Sequence, residues 1–328
     1  MTEHRTNWLL FIALGFFWGS SYLFIKIGDD AGLTPFTLVT LRLLVGSILL
    51  GTVVAVAREK LPRDPGMYVR IAILGFFAIA LPFVLITVAE QRVPSSLGAT
   101  LTSPVPLFAI LFAVPMLGER LTVPRIAGIV VGLAGVAILM GFDFTEVGRT
   151  DLTPQLFLLG ATVSYGFSGV FARRYVTGLR PMVPAFIEVA ISMIMVAVCA
   201  LLFEHPLTLI PTLPGNAIFA VVWLGIFGSG LAYLCFFRLI AHWGPTRTTL
   251  VAYLLPVWGI ALGFFVLNEP IGQGLVLGTA LIIAGIAFVN VDRGKLFANV
   301  GAARSRLTGA PAQAPVPETV PDTAAGPR

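Results

Sequence analysis

Apolar residues run in long blocks along this chain, broken by short polar punctuation. A hydrocarbon core of ~30 Å takes ~20 mostly apolar residues per helix. Ten stretches meet that length: roughly residues 8–27, 35–57, 69–90, 95–117, 121–140, 155–172, 182–203, 217–239, 246–267 and 271–291. The pattern predicts an all-α polytopic membrane protein with ten transmembrane helices.

The blocks fall into two similar halves. Met116-Leu117-Gly118-Glu119-Arg120-Leu121 returns 150 residues later as Val266-Leu267-Asn268-Glu269-Pro270-Ile271. The same offset pairs Pro106 with Pro256, Gly128 with Gly278 and Gly135 with Gly285. At an offset of 147, Trp18 to Lys26 matches Tyr165 to Arg173 more weakly, with Gly, Ser and Phe coinciding and a cation following. Each half has an odd number of spans, so the second is inverted relative to the first. Inverted repeats place a substrate site near the midplane and permit alternating access by rocking one half against the other. The predicted organisation is a first repeat over 1–140, an acidic external link over 141–154, a second repeat over 155–291, and a disordered cytoplasmic tail over 292–328 rich in Ala and Pro. The first span lacks a small-residue cleavage site and reads as an uncleaved signal anchor.

Composition agrees: 57% of the 328 residues are hydrophobic and 11% charged, far from soluble usage. The net charge of +5 reports topology rather than nucleic-acid binding. With the N-terminus cytoplasmic, 17 of the 21 Lys and Arg fall on inner segments and only Arg92 and Arg149 lie outside. The positive-inside rule thus puts both termini in the cytoplasm. Cys199 and Cys235 are isolated in apolar surroundings and offer neither a disulfide framework nor metal spacing.

Charges within the spans are costly, at least ~2.5 kcal/mol each, and are functional candidates. Arg42 lies seven residues after Pro35, and Glu188 seven after Pro181. Inversion therefore puts them about 10 Å deep from opposite faces at 1.5 Å per residue, as pseudosymmetric partners of opposite sign. One reading has Arg42 hold a substrate carboxylate or a gating pair, with Glu188 as its ion-pair partner or a protonatable coupling group. The other has each neutralise a local partner without touching substrate. Lys26 ends the first span, where it either snorkels to the headgroups or serves a substrate site or gate. Trp18, Tyr22 and Tyr165 fall on the first helices of the two halves and are candidate pocket residues, against ordinary packing. Pro82, Pro106 and Pro256 lie inside helices, where a lost backbone donor frees a carbonyl and kinks the span. Glu119 and Glu269 follow spans and read as caps of the next helix.

Several separated blocks in order give the chain a family resemblance over roughly residues 8–291. They are Trp18-Gly19-Ser20-Ser21, the Pro35 to Leu43 entry, Ser95 to Leu121, Leu224 to Tyr233, Phe236-Phe237-Arg238, Tyr253 to Val257 and Asn268-Glu269-Pro270. Together they resemble the EamA-like repeat of the drug/metabolite transporter superfamily. Asn268 departs from the usual Gly, and Glu90 to Pro94 is more charged than the usual link. The resemblance implies a ten-helix carrier in the cell inner (plasma) membrane, often an exporter, with a cavity lined by the early helices of each half. The expected substrate is a small amphipathic metabolite such as an amino acid. Expected partners are that small molecule, the lipid bilayer and, as candidate coupling ion, protons; no nucleic acid and no cofactor are expected, and the oligomeric state stays open. A nucleotide-sugar or sugar-phosphate exchanger is the alternative, for which Lys26 and Arg42 would face a phosphate; a passive channel or scaffold is a third class. Gly166-Phe167-Ser168-Gly169 matches an intramembrane serine-protease motif, but His4, His205 and His242 all lie in tails or loops. Without a nearby base the serine is not activated, so no catalytic residue is assigned. No HExxH, Walker A or CxxC pattern occurs, which leaves zinc proteolysis and ATP-driven pumping without their chemistry.

Overall fold

Ten helices account for the ten apolar blocks. The computed structural model describes residues 2–141, 151–243 and 248–289. The helices are α1 (Thr2–Asp30), α2 (Pro35–Val56), α3 (Pro65–Glu90), α4 (Ser95–Leu117), α5 (Val123–Leu139), α6 (Thr153–Tyr175), α7 (Met182–Phe203), α8 (Gly215–Trp243), α9 (Thr249–Leu267) and α10 (Gln273–Val289). Eight are long and apolar enough to span a bilayer; α5 and α10 are shorter apolar helices of 17 residues. Most of the 141–154 link, with Arg149, and the whole 292–328 tail lie outside the described residues.

Proline punctuates the starts. Pro35 and Pro65 occupy first-turn positions, where the missing N–H costs nothing. Asp64 caps α3 by accepting from Gly66 N at 2.9 Å. At the far ends, Gly118 (φ 70°) closes α4 and Asn268 (φ 56°) closes α9, both left-handed. Asn is among the residues that tolerate this region, so the departure from Gly leaves the turn intact.

Helix pairing shows the inversion. α1 packs on α9 and α6 on α4; α1 packs on α8 and α6 on α3; α2 packs on α8 and α7 on α3; α2 meets α7 and α5 meets α10. Moving every helix five places along the chain maps this set onto itself, as a two-fold axis between the halves requires. The α5–α10 seam shows the axis at atomic scale. Gly128 and Gly278 are repeat equivalents, yet Gly128 meets Gly285 and Gly135 meets Gly278. A Cβ built on Gly128 would stand 2.6 Å from the Gly285 carbonyl oxygen, and one on Gly285 would stand 2.6 Å from that of Gly128. Equivalent positions that cross-pair in this way belong to antiparallel helices related by a dyad. With no side chains between them the backbones approach closely, the usual means of helix association in lipid.

The predicted kinks take definite forms. α3 is π-helical over Phe76–Ala80, immediately before Pro82. A proline ring collides with the carbonyl four residues back, and one wide turn relieves that collision. α8 is π-helical over Leu224–Leu231, the equivalent stretch of the second half. α4 breaks at residues 102–104 and resumes with Pro106 in its first turn. α9 opens as a 3₁₀ turn over Thr249–Tyr253, and Pro256 follows at the third position of the α-helical part.

Candidate functional site

The π-helical stretches stand beside the two buried charges. Arg42 on α2 is 3% exposed and Glu188 on α7 is 7% exposed. A Cβ on Gly225, in the wide stretch of α8, would lie 2.9 Å from Arg42 O; one on Gly75, at the start of the wide stretch of α3, would lie 3.1 Å from Glu188 O. The pseudosymmetry inferred from Pro35 and Pro181 thus extends to the helix that each charge faces.

The guanidinium is held by weak partners. Arg42 Nε donates to Ser229 Oγ at 3.3 Å, and its carbon lies 4.2 Å above the Phe83 ring. The phenols of Tyr22, Tyr165 and Tyr233 lie within electrostatic range. A charged hydrogen bond contributes roughly 1.5–3 kcal/mol and a desolvated cation–π contact about 2, against a burial penalty of several kcal/mol for the ion. These gains are of the same order as the penalty, and no carboxylate lies within ion-pair distance of the guanidinium among the described residues. Glu188 has no hydrogen bond or ion pair among the described residues, and no ion pair joins it to Arg42. Tyr233 lies in range of both charges.

The other predicted residues divide. Tyr22 is buried, its hydroxyl bonded to Thr102 Oγ1, which itself donates to Gly98 O at 2.8 Å. Tyr165 is half-buried on α6 beside Arg42. Trp18 joins this group only through α8, with its ring 6.5 Å from that of Tyr233 and 5.4 Å from that of Phe236. Lys26 stands apart from Arg42. It donates to Glu90 O at 3.1 Å and pairs with Asp30 Oδ1 at 3.6 Å, because the buried end of α3 brings a carbonyl within its reach.

Of the two glutamates read as caps of the next helix, Glu119 forms ion pairs instead and Glu269 caps a helix of the other half. Glu269 accepts from Ser95 N at 2.7 Å and Ser96 N at 3.0 Å, at the start of α4. The left-handed turn at Asn268 swings it to the other half. Glu204, which sequence reasoning passed over, does the same for α2, accepting from Phe36 N, Thr37 N and the hydroxyls of Thr34 and Thr37 at 2.5–3.0 Å. At the opposite face Glu59 pairs with Arg180 at 2.8 Å, and Glu119 with Arg173 at 2.8 Å and Arg125 at 3.1 Å. Both membrane ends are therefore tied across the repeats. A cavity of ≈ 470 Å³ opens beside Thr34, Glu204 and His205. It lies at the start of α2 and the end of α7, with Thr34 eight residues before Arg42 and Glu204 sixteen after Glu188, and its acid is already engaged in capping α2.

Sequence reasoning also missed Phe83 and Glu90. Phe83 looked like any other apolar position, and Glu90 looked like the start of a solvated link because Gln91 and Arg92 follow it. The readable signal was the apolar run that ends directly on Glu90.

The fold is that of an all-α polytopic membrane protein built of two inverted five-helix repeats, with buried Arg42 and Glu188 on equivalent helices. The EamA-like transporter family model matches residues 6–141 and again 152–291, and the chain belongs to that family. It is 28% identical over 86% of its length to the uncharacterized inner membrane transporter YedA of Escherichia coli K12, covering 89% of that protein. It is 26% identical over 83% of its length to a probable terminal-alkyne amino-acid exporter of Streptantibioticus cattleyicolor, covering 89% of that protein. A protein of known crystal structure aligns with a TM-score of 0.61 at 22% identity, covering 87% of this chain and 96% of the other; that likeness concerns the fold.

Proposed function

We propose that this transporter exports a zwitterionic amino acid or a close amphipathic analogue, with Arg42 receiving the carboxylate and Glu188 the ammonium. The observation that carries the reading is the pair of opposite charges, both buried, both on pseudosymmetric helices that pack together, and neither matched by the other. A lone buried charge is a liability that a complementary ligand relieves. Tyr22, Tyr165 and Tyr233 supply aromatic surface and hydroxyls around the cation, which suits a small amphipathic body. The similarity to a probable amino-acid exporter supports the class and the direction.

Sugar phosphates and nucleotide sugars fit less well. They call for two cations at one place, and Lys26 is already held by Asp30 and the Glu90 carbonyl. The cytoplasmic placement of both termini, in an inner membrane, rests on the distribution of Lys and Arg.

The test is counterflow in proteoliposomes with the purified protein, comparing a panel of amino acids with sugar phosphates and nucleotide sugars. Saturable exchange of at least one amino acid is expected. Exchange of phosphates alone would contradict the reading.

A further inference from the structure

A third buried charge lies outside the paired site. Glu90 ends α3, is 0% exposed, and neither carboxyl oxygen has a hydrogen-bond partner. The space for its head exists because residue 98 is glycine: a Cβ there would stand 2.7 Å from Glu90 Oε1 and 3.2 Å from Tyr22 Cδ1. Potential donors at hand are turned elsewhere. Lys26 Nζ reaches the main-chain oxygen of Glu90 and Asp30, and the Tyr22 hydroxyl is bonded to Thr102.

The charged groups that act on it are Glu269, which follows α9, Lys26 and Asp29 of α1, and Arg42 of α2, with Tyr22 of α1 facing the same glycine; α4 brings none, and Glu188 of α7 lies farther along α3, against Gly75. None of them donates to the carboxyl. A carboxylate anion enclosed in this way has lost its water and gained no donor, a penalty of several kcal/mol. The neutral acid avoids most of that penalty.

We propose that Glu90 is a proton-binding site of this transporter, filled in the closed form and emptied when the ends of α1 and α3 separate. The inference rests on the transporter reading and adds its coupling ion. In the filled form a proton from the aqueous phase is bonded to a Glu90 carboxyl oxygen. On opening to the side of the membrane opposite the one that supplied the proton, water enters, the proton leaves to that side, and the carboxylate left behind pairs with the Lys26 ammonium. One proton is bound and one released per cycle. Lys26 thereby has a purpose at a buried helix end, where its present partners are a carbonyl and the exposed Asp30.

Infrared difference spectra of the full-length protein in lipid, titrated with base, test this without knowledge of the substrate. The wild type should show a protonated carboxyl band at neutral pH that converts to carboxylate in alkali. Glu90→Gln should lose that band, Glu188→Gln should keep it, and Glu90→Asp should retain a titrating band while confirming that the site tolerates substitution. A band unchanged in Glu90→Gln would overturn the proposal. In proteoliposomes, Glu90→Gln should lose accumulation driven by a pH gradient and keep counterflow; gradient-driven accumulation at the wild-type level would equally overturn it. If the wild type moves no amino acid while the Glu90 band behaves as described, the substrate reading fails and the proton site stands.

Discussion

Arg42 of α2 donates through Nε to Ser229 Oγ at 3.3 Å, inside the π-helical stretch of α8. The contact joins the first half to the second at a place where the helix is wound loosely, and it leaves the two terminal nitrogens of the guanidinium for another partner. A widened turn is a common feature of functional helices. Its equivalent in α3 faces Glu188, so each charge addresses the adaptable part of the opposite repeat.

Arg42→Lys is expected to fail almost as badly as Arg42→Ala. Lysine keeps the charge but loses the planar fork that reads a carboxylate and stacks on Phe83. Substrate affinity should fall about a hundredfold, roughly 3 kcal/mol, with elution and expression unchanged. Counterflow at wild-type rates in Arg42→Lys would show that only net charge matters.

The cross-repeat caps should behave as latches. Glu269→Ala removes the acceptor for Ser95 N and Ser96 N, a loss of about 1–2 kcal/mol for a helix cap. The melting temperature in detergent should drop, and the face bearing the α4 start should become more open to an impermeant thiol reagent. Glu204→Ala should act likewise at α2. An unchanged melting point in both variants would mean that water replaces the caps without loss.

Gly285→Val should be among the most damaging substitutions outside the site. A side chain there meets Gly128 O and the Gly132 backbone at 2.6 Å, and backbone has no rotamer with which to retreat. Expression or monodispersity should collapse, whereas Gly272→Val, with nothing within 4 Å, should be tolerated. Equal behaviour of the two would discredit the packed seam.

Ser168→Ala should leave transport intact. Its hydroxyl donates to Tyr165 O at 2.9 Å within its own helix, a contact contributing about 1 kcal/mol. Loss of all activity in a well-expressed Ser168→Ala protein would revive acyl chemistry.

Orientation is open to a labelling test. With Cys199 and Cys235 replaced, cysteine at Arg92 should react with an impermeant maleimide in intact cells, and cysteine at Asp64 should not. The reverse pattern would invert the topology read from Lys and Arg.

The spans were legible because the bilayer imposes one length on every helix, and predicted 95–117 coincides with Ser95–Leu117. Inversion was legible from the 150-residue repeat together with an odd span count. What stayed hidden depends on contacts far apart in sequence. Nothing near Asn268 says that Glu269 caps α4, since the partner is 174 residues away. The π-helical form of α3 was hidden behind Pro82, which announces a disturbance without its type. Glu90 was disguised by its polar neighbours, and nothing in the sequence tied Tyr233 of α8 to Arg42 of α2. Pairing of Arg42 with Glu188 followed from pseudosymmetry alone, and the structure directs each to its own surroundings.

The central claim is that Arg42 and Glu188 read the two ends of a zwitterion. Calorimetric titration of the purified protein with an amino acid, its carboxamide and its deaminated acid, against wild type, Arg42→Gln and Glu188→Gln, tests this most directly. The wild type should bind the intact amino acid best. Arg42→Gln should no longer distinguish it from the carboxamide, and Glu188→Gln should no longer distinguish it from the deaminated acid. If all three ligands bind alike to the wild type, or if both variants keep its full discrimination, the two charges do not contact substrate and the account is contradicted.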